Sequence, residues 1–286
     1  MPTKYLLYID ILGFSDLVKR DPLQVEKIYG VLDSLNVHRH DVFRTIVFSD
    51  TVVVYNRIDP KPNDAKAHEY IVWYSIEFAE DLHHRLTGQG LYFRAVLVSG
   101  EFQHYALENI DCFFGEALID AYAREKKIPS IGLFIDTACN QYNRYFRTEP
   151  FGDYLHFVYL NRSVESLQQE TNGEFPVDQI LLDSNYPYLA WQVRFLHDVH
   201  SMMRTHPVPT VRTKFLTAWD FYKRRYPKIL TALEESGFDM KVFNPGFDWS
   251  QQLRVLAEDI EHFQTAGDRS NKRSHTDVGE QARPRR

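Results

Sequence analysis

Hydrophobic positions in the first 160 residues fall into short runs of two alternating periods. Lys4 to Ile11 is an almost continuous apolar run, the pattern of a strand buried on both faces. Asp21-Pro22 reads as an N-cap and a first-turn proline. Val25, Ile28, Leu32 and Leu35 follow at helical spacing, for about four turns. Val42 to Val47 and Thr51 to Tyr55 are β-branched runs flanking Phe48-Ser49-Asp50, which predicts a hairpin. Arg57 to Asp64, with two prolines and an asparagine, predicts a loop. Ala65 to Leu86 is the clearest helix, with Ile71, Tyr74, Phe78 and Leu82 on one face. Leu91 to Val98 then predicts a strand, Gly115 to Lys126 a helix, and Ile131 to Ile135 and Tyr154 to Leu160 two further strands.

This order, β-α-β-β-α-β-α-β, implies an α/β or α+β sheet with helices on it. The pattern changes near Arg162. Leu189, Val193, Leu196, His197 and His200 share one helical face, and further helices are expected at about 210–225 and 249–263. The last residues hold six basic side chains against three acidic ones, with one β-branched apolar residue and no aromatics. Such a segment buries too little surface to offset its ordering entropy, so a disordered tail is expected. The chain thus divides into residues 1–163, a helical extension over 164–265 and a basic tail over 266–286.

Composition narrows the classes. The chain has 286 residues, 44% hydrophobic and 25% charged, as in an ordinary soluble protein. No apolar run approaches the roughly 20 residues that span a bilayer. Tyr5 to Ile9 stops at Asp10, too short for a signal peptide, so a cytoplasmic location without membrane attachment is expected. A net charge of −6 argues against a partner nucleic acid coating the surface, though not against a polyanion in a cleft. Cys112 and Cys139 lie outside any CxxC and are expected to be reduced thiols. The histidines lack an accompanying zinc ligand set. Neither a Walker A sequence nor a Gly-x-Ser-x-Gly elbow is present.

The candidate chemistry begins at Asp10, a carboxylate that interrupts an apolar strand and needs a partner, solvent or a metal. Gly13 follows, where the backbone can turn and turn its amides toward a phosphate. Asp50 sits at the predicted hairpin tip. Two converging carboxylates repel each other, and a divalent cation would hold them together. Arg94 lies inside an apolar strand and needs a counter-charge. Asp120 and Arg124 are four apart, on one helix face.

Asp10-Ile11-x-Gly13-Phe14-Ser15, then Ser49-Asp50, then Arg94 with Gly100-Glu101, then Phe114-Gly115 and Asp120-x-x-x-Arg124 form a series that resembles the class III nucleotidyl cyclases. Within that family it is most similar to the bacterial pyrimidine cyclases of the Pycsar anti-phage systems. The resemblance covers about residues 1–160 and implies an α+β, ferredoxin-like class III cyclase catalytic domain, followed here by the helical extension. Those cyclases are short and stand alone, and the few residues before Asp10 are expected to leave no room for a sensor domain.

The resemblance also implies a mechanism. The enzyme would be a homodimer with shared active sites. Two divalent metal ions, Mn or Mg, would be held by Asp10, Asp50 and the Ile11 carbonyl. Amides near Gly13 and Phe14 would hold phosphates, and Arg124 of the other protomer would neutralise charge at the α-phosphate. Asp120 stands where the family has a ribose-orienting asparagine. The adenine-reading lysine would fall at Thr45, which is too short for that job, and its acidic partner near Asp111 or Cys112. Phe48, on the Asp50 side of its strand, is expected to stack on a small base, and Arg94 to read a base carbonyl, favouring UTP. Arg144 and Arg147 are candidates for the terminal phosphates by spacing. The expected product is cyclic UMP, a messenger for a separate effector that the cyclase does not bind directly. A cytidylate or purine cyclase, and an inactive nucleotide-binding module, remain the alternatives.

Overall fold

The computed structural model describes residues 3–20, 22–186 and 188–263. The Asp21 cap and the 266–286 tail expected above lie outside the described residues. The apolar run at the start is β1 (Thr3–Leu12). It is followed by a short helix α1 (Phe14–Arg20) and by α2 (Pro22–Asp33). The hairpin is β2 (Phe43–Phe48) and β3 (Thr51–Asn56), then come α3 (Ala65–Leu86) and β4 (Tyr92–Glu101). These strands lie in the order β2-β3-β1-β4, each antiparallel to its neighbours. With α2 and α3 as the connections, this is the β-α-β-β-α-β arrangement of a ferredoxin-like core.

A two-stranded ribbon follows, β5 (Gln103–Ala106) and β6 (Asp111–Phe114). The next elements are α4 (Glu116–Glu125), β7 (Gly132–Asp136), the single turn α5 (Thr137–Asn140), β8 (Thr148–Phe151) and β9 (Leu155–Val158). β7 joins β4 in parallel, and β9 and β8 complete a seven-stranded mixed sheet. Of the two classes that the element order allows, α/β and α+β, the second is observed. β5, β6 and β8 were not anticipated: each is four residues long, too short for alternation to register as a period.

The two sheet faces carry different cover. Alternate β1 residues Tyr5, Leu7, Ile9 and Ile11 face α2 and α3. Leu6 and Tyr8 face the other way, toward α4 and the C-terminal helices. Those helices are α6 (Arg162–Thr171), α7 (Gln179–Asn185), α8 (Leu189–Thr205), α9 (Pro209–Arg225), α10 (Pro227–Glu235) and α11 (250–263). They share a single apolar core with the sheet. Phe221 of α9 stacks on Phe157 of β9 at 4.3 Å, and Tyr159 donates to the Phe221 carbonyl at 3.1 Å. The extension is thus built onto the sheet rather than tethered beside it.

Candidate active site

β1 and β3 bring the two predicted carboxylates to one end of the sheet. Asp10 lies opposite Thr51 of β3 and opposite Arg94 of β4. The Ile11 amide donates to the Asp50 carbonyl at 2.9 Å, so the hairpin tip is bonded directly to the end of β1. The hairpin loop has two residues, and Ser49 takes a positive φ of 56°, a conformation that usually calls for glycine. Tyr29 of α2 steadies it by donating to the Ser49 carbonyl at 3.2 Å. Directly paired residues share a face, so Phe48, Thr51, Asp10 and Arg94 lie side by side across four strands.

Burial pushes the Asp10 carboxyl above its ordinary range, Arg94 opposes that shift, and the Asp50 charge adds to it. A divalent ion would relieve this repulsion. The set is hard oxygen donors, which suits Mg²⁺ or Mn²⁺. Among the described residues no group of three or more His, Cys, Asp or Glu forms a metal cage. Gly13 turns the chain out of β1 at φ +80°, and Phe14 is buried against Tyr29, leaving only its backbone to act.

Arg94 is not placed as expected. It is only 9% exposed, and its guanidinium is committed on three sides. One nitrogen donates to the Ile128 carbonyl at 2.9 Å. The other lies 3.4 Å from Asp10 and in contact with Glu125. The side chain is buried, with its Nε left without a partner, and its terminal nitrogens are turned to Asp10, Glu125 and the Ile128 carbonyl rather than to open surface. Glu125 is 2% exposed, and burial raises its pKa. Its helical spacing from Ala117 and Ala121 places all three on the buried face of α4, a signal present in the sequence.

Lys214 of α9 also joins this cluster. Burial lowers its pKa, Arg94 lowers it further, and Asp10 and Glu125 act in the opposite direction. The next residue, Phe215, packs on Tyr92 at 4.6 Å, two residues before Arg94. No local pattern announces Lys214, because its role depends on the extension folding back over the sheet.

Thr45 requires a second correction. It pairs with Val54, whose side chain belongs to the α2/α3 core, so Thr45 lies on the face opposite Asp10. Ile46 holds the position on the Asp10 face. Phe48 is on the expected face and is 75% exposed. Asp111 is exposed on the ribbon and pairs with His104 at 3.6 Å. Arg144 is bonded to Glu69 of α3 at 2.8 Å and is not drawn to Asp10.

Asp120 and Arg124 are a partly exposed pair at 3.3 Å. Arg124 also lies 3.9 Å from Asp136, which accepts from the Ser99 amide. Ser99 is five residues along β4 from Arg94, about 16 Å of strand. Arg124 is therefore paired with Asp120 and Asp136 and not with Asp10 or Asp50. Two glycines let α4 lie this close to the sheet. A Cβ on Gly100 would lie 3.2 Å from the Ala117 Cβ, and a Cβ on Gly115 would collide with the Glu101 carbonyl.

No protein-family model matches the chain, and no curated protein matches it. Solved structures similar to it include the adenylyl cyclase CyaB from P. aeruginosa, at 13% identity and a TM-score of 0.41, over 55% of this chain and 94% of that one. Another is the guanylate cyclase domain of RhGC from Catenaria anguillulae in complex with GTP, at 12% identity and 0.43, over 55% and 96%. A third is a class III adenylyl cyclase-like ATP-binding protein from Pseudomonas aeruginosa, at 17% identity and 0.37, over 50% and 35%.

Proposed function

We propose that this chain is a metal-dependent nucleotide cyclase acting on UTP as a homodimer. The observation that carries the reading is the convergence of Asp10 and Asp50, joined through the Ile11 amide at the end of a ferredoxin-like sheet. Bound there, two divalent ions would supply the positive charge that activates the ribose 3′-hydroxyl and screens the triphosphate. Asp10, Asp50 and the Ile11 carbonyl would hold them. Amides at Gly13 and Phe14 would bind the β- and γ-phosphates at the turn out of β1. The 3′-oxygen attacks the α-phosphorus, the bond to the β-bridging oxygen breaks, and pyrophosphate leaves.

Arg124 of a second copy would neutralise charge at the α-phosphate, and Asp120 beside it would accept from ribose hydroxyls. The separation of Arg124 from Asp10 within one chain supports a site shared between two. So does the exposed apolar surface of the ribbon and α4, with Tyr105, Ile110, Phe114, Ile119 and Tyr122 open to solvent. Exposed Phe48, on the Asp10 face, supports a stacked, small base. The reading extends to a cyclic UMP messenger in anti-phage defence, sensed by a separate effector. The purified chain, incubated with each ribonucleoside triphosphate and Mn²⁺, is expected to yield cyclic UMP by mass spectrometry. No cyclic product from any of the four would refute the assignment.

A further inference from the structure

The Arg94 guanidinium serves two carboxylates, and it serves them unequally. Its Nη1 donates to the Ile128 carbonyl at 2.9 Å, which anchors one arm of the fork. Its Nη2 is shared. That nitrogen touches Oε1 of Glu125 and lies 3.4 Å from Oδ2 of Asp10. The Glu125 contact is an ion pair rather than an aligned hydrogen bond. A close N⁺–H···O⁻ bond spans about 2.7–2.9 Å, so the link to Asp10 is the loose one. The two acids also differ in access to solvent. The Asp10 side chain is 23% exposed and that of Glu125 is 2% exposed. One cation is therefore drawn toward a sealed carboxylate and away from an open one.

α4 fixes this arrangement from the far side. Ala117, Ala121 and Glu125 lie on its buried face, one turn apart. The Ile128 amide donates to the Glu125 carbonyl at 3.1 Å. The same turn thus presents both the Glu125 carboxylate and the Ile128 carbonyl to Arg94. Without the Glu125 charge, Nη2 would have Asp10 as its one remaining anion among these contacts. Closing the gap by about 0.5 Å would make a direct pair. A guanidinium bonded in that way occupies carboxylate lone pairs and neutralises the charge that a divalent cation needs.

We propose that Glu125 is a positioning residue that holds Arg94 off Asp10 and so keeps that carboxylate open to a divalent cation. The inference rests on Asp10 being a metal carboxylate, as in the function proposed above. Glu125 does not meet the cation. It acts through Arg94, which stays near enough to steady Asp10 without closing on it.

The test measures Mn²⁺ binding by the full chain without nucleotide, from the electron paramagnetic resonance signal of the free ion, so turnover is not read. The unaltered chain is expected to bind Mn²⁺ saturably, and Asp10→Ala to abolish that binding. Glu125→Gln is expected to weaken it about tenfold. Glu125→Gln combined with Arg94→Gln is expected to regain it to within about threefold, because no guanidinium is left to close on Asp10. A merely structural role predicts the opposite, since the second substitution removes one more buried contact. Circular dichroism identifies any variant that fails to fold. Glu125→Asp, charged but one methylene short of Arg94, then replaces Glu125→Gln, and Arg94→Met replaces Arg94→Gln, with the same expectations. Unchanged affinity in the single variant, or a double variant that binds no better than the single one, would overturn the proposal and leave the metal site standing. Mn²⁺ binding that is absent, or indifferent to Asp10→Ala, would refute the metal assignment and this inference with it.

Discussion

Arg94 and Arg124 show two ways in which one protein uses the same side chain. Arg94 is buried, touches Asp10, Glu125 and the Ile128 carbonyl, and has no freedom to meet a ligand. Arg124 is partly exposed and, among the described residues, is bound by an i,i+4 partner and a longer contact to Asp136. A surface pair of that kind contributes at most about 1 kcal/mol, so it is released at little cost. A buried pair is costly to break, because its partners would stay charged without solvent. The first arrangement suits holding a carboxylate in place. The second suits a cation that must turn to an incoming phosphate.

The sharpest test of this contrast is a mixture of variants. Asp50→Ala and Arg124→Ala are each expected to lower turnover by roughly 10²–10³ or more. Mixed in equal amounts, they should regain activity, because one heterodimer site would be intact. Failure of the mixture to exceed either variant alone would remove the shared site. Arg94→Ala, which removes the partner of Asp10, is expected to lower stability as well as turnover. Urea unfolding should show a loss of about 3–5 kcal/mol, while Arg124→Ala should lose less than about 1. Equal losses would erase the distinction between them.

His83 extends the comparison to a buried titratable group with no ion-pair partner. Its folded pKa, about 4, lies below the ordinary 6.5, so the unfolded chain binds more protons between those values. The stability it contributes is complete above pH 6.5 and is lost as pH falls toward 4. The shift corresponds to about 3 kcal/mol. His83→Gln should flatten that part of the curve of unfolding free energy against pH, and an unchanged slope would contradict it. The smallest effect is expected at Phe48. Phe48→Ala should shift selectivity toward purine triphosphates by about tenfold in kcat/KM, or roughly 1.4 kcal/mol. No gain for purines would separate Phe48 from the base.

Sequence pattern was enough for the main elements. The continuous apolar run of β1, the hairpin around Ser49-Asp50 and the long amphipathic α3 all appear within two residues of their expected bounds. Asp10, Asp50 and the Asp120–Arg124 pair were also legible, because a charge in an apolar run, a turn residue and an i,i+4 spacing are local facts. Glu125 is legible from its spacing to Ala121, on the buried face of α4. Thr45 was misassigned because the face of a β-strand residue depends on register, and a shift by one residue reverses every side chain.

The residues by themselves therefore determined the order of elements and marked the two carboxylates, since both are local features, while the carboxylates converge through the pairing of β1 with β3. The tertiary structure alone decided what surrounds them. It turned Arg94 inward to Glu125 and brought Lys214 from more than a hundred residues away. Those outcomes depend on which faces the sheet and the C-terminal helices bury against each other. Burial by distant segments sets the local dielectric and the available partners, and no periodicity in the chain encodes either.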